Sequence, residues 1–208
     1  MENDRVLRVA GALTFLAAAQ WIILITIAEA FYPDYSILNN FLSDFGATCR
    51  DTCTIVYPSS VIFNSALIVS GLLSLTSAYL ILRATGGKRF TFFLGLFGLG
   101  TLVAGVFPET VIGAHELGSF VAFVSGGVAS ILSYRHEKPP LSYISVMLGA
   151  VVLAALIPLT FSGPFIRLNN DFGLGPGGME RMVVYPIMLW ELGLGGYLMS
   201  AGPATSAR

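Results

Sequence analysis

The sequence predicts an all-α polytopic membrane protein, a bundle of six transmembrane helices. Only 11% of its 208 residues are Asp, Glu, Lys or Arg, while 55% are hydrophobic and the mean hydropathy is +0.77. The few charges cluster between six apolar runs, each close to the roughly 20 residues that a bilayer-spanning helix needs. These runs must be helical, because an open backbone in lipid leaves N–H and C=O groups without partners.

The six spans follow one another with short connections. We place them at about residues 7–31, 60–82, 90–107, 115–134, 141–161 and 179–200. They use almost the whole chain and leave no room for a soluble domain, so we predict one six-span membrane domain over residues 1–208. The first run is too long for a signal-peptide core and has no small-residue cleavage site, so we expect it to remain as the first helix.

Glycine recurs inside the third, fourth and sixth runs. Small residues let helix backbones approach closely in a membrane, so we expect these positions to be packing contacts. They are Gly95, Gly98, Gly100, Gly105, Gly126, Gly127, Gly193, Gly195 and Gly196. The chain shows no internal repeat, which argues against a transporter built from inverted repeats.

The basic residues predict the orientation. Eight of the 11 Lys and Arg residues lie on the side that carries both termini, and three, Arg50, Arg167 and Arg181, lie on the other. The positive-inside rule therefore predicts a multi-pass protein of the cell membrane with both termini in the cytoplasm. Nine of the 12 acidic residues lie on or toward the outer side. That side is either a solvated surface or an outward-facing polar site.

The loop after the first span, about residues 32–59, is the longest and is too apolar for a flexible linker. We expect a short amphipathic helical segment there, lying over the outer mouth of the bundle and ended by Gly46. Asp44 either pairs locally or points into a site. Cys49 and Cys53 are disulfide candidates if their Cα atoms come within about 7 Å. A metal site would need further Cys or His ligands, which this loop lacks.

The fourth span opens with His115 and Glu116. A lone histidine is either a hydrogen-bonded structural residue or a general acid or base, since it titrates near neutral pH. Glu116 suits the positive N-terminal end of a helix.

The sixth span opens with Glu180 and Arg181. The helix dipole favours Glu180 there but disfavours Arg181. We therefore expect a carboxylate partner for Arg181, with Asp44, Glu109 and Glu116 as the candidates. Without such a partner, a lipid phosphate or sulfate would suit its planar guanidinium.

Glu191 lies about twelve residues into the sixth span, near the bilayer midplane at 1.5 Å per residue. An acid at that depth is costly unless it is neutralised or paired, and it suggests a function by default. It is either a protonated, hydrogen-bonded structural residue or part of a proton relay or ligand site. Gln20, similarly deep in the first span, is the expected partner.

The order of these features resembles the domain of unknown function 998 family of six-helix bacterial and archaeal membrane proteins. The matching segments are YPDYSILNNFLSDFGA (residues 32–47), GVFPE (105–109), His115 and GGMERMVVYPIMLW (177–190). The resemblance covers most of the chain. It implies six spans and an outer site assembled from these segments, but it supplies no reaction. Glu191, Cys49 and Cys53 lie outside the recognised pattern.

Three functions remain open. The first is a binding or accessory protein whose outer site takes a lipid headgroup, an amphiphile or a partner helix. The second is an enzyme acting on a lipid or lipid-linked substrate at the outer leaflet, and the third is a small proton-coupled transporter using Glu191. The residues predicted for the binding site are Arg181, Glu180, Asp44, His115, Glu116 and Glu109.

In the enzyme hypothesis, His115 is the base, Arg181 holds a phosphate, and Ser43 or water is the nucleophile. Either Asp44 or Glu116 would orient the histidine. No cofactor or metal is expected, because the outer side carries a single histidine. The expected partners are a membrane lipid and either a membrane protein or a second copy of the chain. The net charge of -1 gives no sign of nucleic-acid binding.

Overall fold

A computed structural model describes residues 2–49, 52–111, 113–161 and 172–200, and these residues form a helical bundle without a named strand. Its six helices are each long and apolar enough to cross a membrane, which confirms the predicted fold class. They are α1 (Glu2–Ala30), α2 (Ser59–Thr85), α3 (Lys88–Val106), α4 (Ala114–Leu132), α5 (Leu141–Phe161) and α6 (Gly175–Ser200). Arg50 and Arg167, counted in the predicted orientation, lie outside the described residues.

The helices form a ring in which each packs against its neighbours in the chain, and α1 closes the ring against α6. Successive helices run in opposite directions. The α1–α2 loop (residues 31–58), the α3–α4 connection and the start of α6 therefore share one end of the bundle, the loop end. The start of α1, the α2–α3 and α4–α5 connections and the end of α6 share the other, the terminal end.

Glycines make close backbone contacts around most of this ring. A Cβ on Gly98 would come 2.9 Å from the Gly71 carbonyl oxygen in α2, and one on Gly195 would come 2.7 Å from the Gly11 carbonyl oxygen in α1. Gly100 and Gly118 approach in the same way between α3 and α4. Most of the predicted glycine contacts are therefore present. Gly196 is an exception, because a Cβ there would meet nothing within 4 Å.

The α1–α2 loop differs from its prediction. In place of an amphipathic helix it consists of turns and a three-residue 3-10 helix, Ser43–Phe45, with Gly46 directly after it. Local side chains explain the difference, because they bind backbone groups that a helix would use. Asn40 Oδ1 accepts from the Ser36 amide, and Asp44 Oδ2 accepts from the Phe41 amide.

The start of α6 lies directly under this loop. The helix begins at Gly175, four residues before the predicted span, and the Gly177 amide donates to the Ile37 carbonyl at 3.0 Å. A Cβ on Gly175 would strike the Leu38 backbone, and one on Gly177 would strike the Asn40 carbonyl oxygen. The glycine-rich segment is therefore helical, and its missing side chains let the loop pack on it.

Candidate functional site

Glu180 fixes the α1–α2 loop to α6. Its buried carboxylate accepts hydrogen bonds at Oε2 from the amides of Leu42 at 2.6 Å and Ser43 at 3.3 Å. Leu42 directly precedes the 3-10 helix and Ser43 is its first residue, so neither amide has a hydrogen-bond partner within the helix. The predicted site residue Glu180 thus supplies a partner for backbone donors that would otherwise be buried alone.

Arg181 lies between the loop and α1. Its Nη2 is 3.0 Å from Glu29 Oε2, its Nη1 donates to the Tyr35 hydroxyl at 2.7 Å, and its Nε donates to the Tyr185 hydroxyl at 3.2 Å. Its guanidinium also lies 5.3 Å from the centre of the Tyr35 ring. Arg181 is therefore held by a carboxylate and two phenols.

The carboxylate partner of Arg181 was predicted wrongly as Asp44, Glu109 or Glu116; it is Glu29. The end of α1 lies beside the start of α6, because the two helices pack in opposite directions. Glu29 is in the last turn of α1, where the helix dipole disfavours an anion. The ion pair offsets that effect, and Arg181 does not need a lipid phosphate in its place.

Tyr35 receives the Arg181 hydrogen bond as a neutral phenol. Burial raises the pKa of Tyr35, and this effect exceeds the opposing effect of the hydrogen bond from Arg181. Its ring also packs against Phe45, with the ring centres 4.4 Å apart. Tyr35 thus joins the charged cluster to the apolar underside of the loop.

The other predicted acids have separate roles. Asp44, 1% exposed, accepts hydrogen bonds at Oδ2 from the Phe41 amide and the Asn40 side chain. Glu109 accepts from the Ser43 hydroxyl and from the Cys49 amide, both at 3.2 Å. Glu116 is exposed. Asp44 and Glu109 therefore hold the loop in place.

Cys49 and Cys53 are joined by a disulfide, with their Cα atoms 4.0 Å apart. An isolated bridge between Thr48 and Thr54 brackets the bond, with both backbone hydrogen bonds formed. The bond closes a small lobe of the α1–α2 loop beside Glu109.

His115 is buried at the start of α4, and its Nδ1 lies 3.0 Å from the Ala104 carbonyl oxygen. That carbonyl lies in the last turn of α3 and has no amide donor four residues later, because residue 108 is proline. A carbonyl only accepts, so Nδ1 carries the proton. In the neutral ring, Nε2 is then an acceptor.

A cavity of about 50 Å³ lies beneath the loop. Its apolar lining includes aromatic and aliphatic side chains, among them Trp21, Phe63, Phe97, Phe123, Ile187 and Met188. Its polar lining supplies hydroxyl, imidazole and carboxyl groups, from Ser43, Ser70, Thr101, His115, Ser119 and Glu180. The structure thus brings Ser43, His115 and Glu180 to one cavity, whereas Arg181, Asp44, Glu109 and Glu116 do not line it.

Two polar atoms in this loop-end cavity lack a hydrogen-bond partner among the described residues. They are Trp21 Nε1 and Ser70 Oγ, whose residues are 3% and 0% exposed. Leaving a buried donor or acceptor unsatisfied costs about 1–3 kcal/mol. The deep part of the cavity therefore favours an occupant that can hydrogen bond.

Glu191 lies one turn deeper in α6 than Met188. It is 0% exposed, and its Oε1 accepts from Ser74 Oγ at 2.8 Å, while Oε2 has no partner within the described parts of the chain. The prediction that Gln20 is the partner of Glu191 is wrong. Gln20 instead donates to the carbonyls of Ala17 and Ala66, nearer the loop end than Ser74.

A second cavity, of about 440 Å³, opens at the terminal end. Its wall includes His136, Glu137, Leu194 and Tyr197. Glu137 accepts from the Ser145 hydroxyl, and burial raises its pKa. Partial burial, followed by the charge of Arg135, lowers the pKa of His136.

Comparison with known proteins gives a family match. The family described as Protein of unknown function (DUF998) matches residues 15–196, a range that contains the residues lining the loop-end cavity and Glu191. No curated protein and no solved structure shows significant similarity to the chain.

Proposed function

Because the chain belongs to the DUF998 family, whose description assigns no activity, we propose a function from the loop-end cavity itself. We propose that the protein binds a small amphiphile, with a polar group against Ser43, His115 and Glu180 and an apolar part beside the aromatic side chains. The observation that carries this proposal is that one cavity is lined by both polar and aromatic side chains.

The lining of the cavity is elongated along α6, and because the cavity itself is only about 50 Å³, its lining side chains must move apart to admit an elongated occupant. Glu180 lies at its loop end, and Met188 follows eight residues later in α6, about 12 Å deeper at 1.5 Å per residue. Trp21 and Ser70 offer hydrogen bonds in the deep part. An amphiphile with a second, small polar group would satisfy both ends.

The polar lining residues favour a hydroxyl or an amine over a phosphate. Glu180 contributes a carboxylate, and the hydrogen bond from Nδ1 of His115 to Ala104 leaves Nε2 as the acceptor whenever the ring is neutral. Arg181 does not line the cavity and is paired with Glu29. A phosphate would meet acceptors there, whereas a hydroxyl or an ammonium group would donate to them.

These contacts favour binding over catalysis. Ser43 donates to Glu109 and His115 bonds to the Ala104 carbonyl, so the described residues contain no Ser43–His115 hydrogen bond that would activate a nucleophile. The version of the outer-leaflet enzyme hypothesis in which Ser43 is the nucleophile therefore lacks the contact that would activate it. Most of the charged groups predicted for the site instead hold the loop over the cavity.

We further infer that the loop end faces outward and both termini lie in the cytoplasm. Arg8, Lys88, Arg89, Arg135 and Lys138 lie toward the terminal end, which satisfies the positive-inside rule. A disulfide in the loop suits an oxidising compartment.

Native mass spectrometry with lipid analysis tests the binding proposal. Ser70→Leu fills the deep cavity without touching the residues that fix the loop, and Thr76→Leu is its control on an exposed face of the same helix. We expect an amphiphile to co-purify with the wild type and with T76L and to be lost from S70L. Equal retention by S70L, or no bound molecule in the folded wild type, would contradict the proposal.

A further inference from the structure

Glu191 separates the two cavities. Met188, three residues before it, lines the loop-end cavity, and Leu194, three residues after it, lines the terminal-end cavity. Each is about 4.5 Å from Glu191 along the helix axis, at 1.5 Å per residue. One buried carboxyl group therefore lies between two cavities that are located toward opposite ends of the bundle.

A column of hydroxyl groups passes Glu191 on α2. Ser70, Ser74 and Ser77 follow at intervals of four and three residues, which places them on one face of the helix, and all three are 0% exposed. Ser70 lines the loop-end cavity, Ser74 donates to Glu191, and Ser77 lies 2.6 Å from the Thr14 hydroxyl. Hydroxyls both donate and accept, but Ser70 and Ser74 are not hydrogen bonded to each other within the described residues, so a proton crosses that gap only when a side chain rotates or a water bridges it.

No ionisable residue at a similar depth in the neighbouring helices is available to pair with the buried carboxyl group of Glu191. The helices that surround α6 contain no other Asp, Glu, Lys, Arg or His in residues 9–28, 59–82, 90–106, 117–132 and 141–161, and α6 contains none in 182–190 or 192–200. The tyrosines in these ranges are Tyr79, Tyr143, Tyr185 and Tyr197. Tyr79 and Tyr143 are exposed, Tyr185 bonds Arg181, and Tyr197 lines the terminal-end cavity.

A buried carboxyl group with a purely structural role would be expected to form hydrogen bonds through both of its oxygens. Oε1 of Glu191 is bonded to Ser74, but Oε2 has no partner among the described residues. A buried polar atom without a partner is rare and costly. A membrane-embedded acid of this kind, between two cavities and beside a hydroxyl column, is typical of a proton pathway.

We propose that Glu191 is an exchangeable proton-binding site through which the bundle moves protons between its two ends. The carboxylate takes a proton delivered from the loop-end cavity through Ser70 and Ser74, and becomes a neutral carboxyl group. It then releases the same proton toward the terminal-end cavity, and the carboxylate is restored. Net charge and proton count balance over the cycle, and no other reactant is needed. The loop-end cavity delivers the proton when no amphiphile occupies it, so this inference stands apart from the proposed function.

Infrared spectroscopy of the protein in phosphatidylcholine vesicles tests the exchange. A protonated carboxyl group has its own carbonyl band, and we expect one that loses intensity as the bulk pH rises and that is absent from Glu191→Gln. Glu191→Gln keeps the size of the side chain and its acceptor for Ser74. A Glu191 band that ignores bulk pH, or no band that depends on Glu191, would overturn the proposal.

Proton flux in the same vesicles provides the second measurement. A potassium gradient with valinomycin drives protons, and an enclosed pH-sensitive dye reports them. We expect flux above protein-free vesicles for the wild type and for Thr76→Ala, an exposed control on α2. We expect background flux for E191Q and reduced flux for Ser74→Ala. Background flux from the folded wild type, or unchanged flux from E191Q, would overturn the role in transport.

Discussion

At the scale of single residues, the ion pair between Arg181 and Glu29 holds the loop end together. The exposed fractions of the two side chains are 10% and 42%, so the contact is screened on the glutamate side. Arg181 adds bonds to two phenols and one backbone carbonyl, whereas Glu29 contributes the ion pair. Removing the arginine side chain should therefore lower the free energy of unfolding by more than removing the charge of Glu29.

A double-mutant cycle measures this difference. Arg181→Gln should lower the free energy of unfolding by about 1–3 kcal/mol, because it leaves buried acceptors without donors. Glu29→Gln should cost about 0.2–1 kcal/mol, as expected for a half-exposed ion pair. The double variant should be no less stable than R181Q alone. Thermal unfolding in detergent, followed by tryptophan fluorescence, measures all three, and additive losses would contradict the pairing.

Glu137, at the terminal end, should make the stability of the folded protein depend on pH. Burial raises the pKa of Glu137 in the folded protein above its value in the unfolded chain. Its contribution to stability is therefore fully present below the unfolded pKa, about 4.3 for an unperturbed Glu, and is lost as pH rises through the raised folded pKa. Unfolding measured from pH 4 upward should show this loss.

Two variants control the measurement at Glu137. Glu137→Gln should flatten this part of the pH profile, because the amide has no proton to lose. Glu116→Gln removes an exposed carboxyl and should leave the profile as in the wild type. A profile that E137Q does not change would assign the pH dependence to another group.

At the scale of elements, the packing of α6 against α1 depends on Gly195 and not on the adjacent Gly196. A Cβ at Gly195 would lie 2.6 Å from the Phe15 amide nitrogen and 2.7 Å from the Gly11 carbonyl oxygen. A Cβ at Gly196 would meet nothing. Both positions are helical, so the two substitutions differ in packing and share the same gain in helix propensity.

Gly195→Ala should therefore destabilise the bundle by about 1–3 kcal/mol, because the helices must separate to admit the methyl group. Gly196→Ala should be neutral or slightly stabilising, since alanine is a better helix former than glycine. Thermal unfolding of the two variants in the same detergent compares them directly. Equal losses would mean that the α1–α6 contact is not set by this close approach.

The elements also show where the sequence is informative. The six helices follow from long apolar runs, since lipid leaves a helix as the simplest way to pair the backbone. The amphipathic helix expected after α1 is not confirmed; the loop has turns and one three-residue 3-10 helix, because Asn40 and Asp44 bind nearby amides and stabilise turns. Apolar composition alone gives no sign of that competition, although the Asn and Asp residues themselves do.

Side-chain partners across helices were harder to predict than the helices. Glu29, Tyr35 and Ser74 were all missed, and Gln20 was assigned wrongly. Depth along a helix can be counted from the sequence, but rotation about the helix axis depends on packing between neighbours. The serine spacing on α2 was a usable signal for Ser74, because three buried hydroxyls at intervals of four and three mark one face.

At the scale of the whole molecule, the orientation decides how the loop-end cavity and Glu191 are reached. If the loop end faces outward, the loop-end cavity lies toward the outer leaflet and the terminal-end cavity lies toward the cytoplasm. Basic residues gather at the terminal end, which favours that orientation. The disulfide at the opposite end agrees with it.

Two matched cysteine variants test the orientation in intact cells. In a Cys49→Ser/Cys53→Ser background, Thr52→Cys places one thiol in the loop and Thr85→Cys places one at the terminal end. Both threonines are exposed. A membrane-impermeant maleimide should label T52C in whole cells and T85C only after lysis, because the reagent reaches the outer face alone. The reverse pattern would place the termini outside and would direct the proposed proton path the opposite way, from the cytoplasm outward.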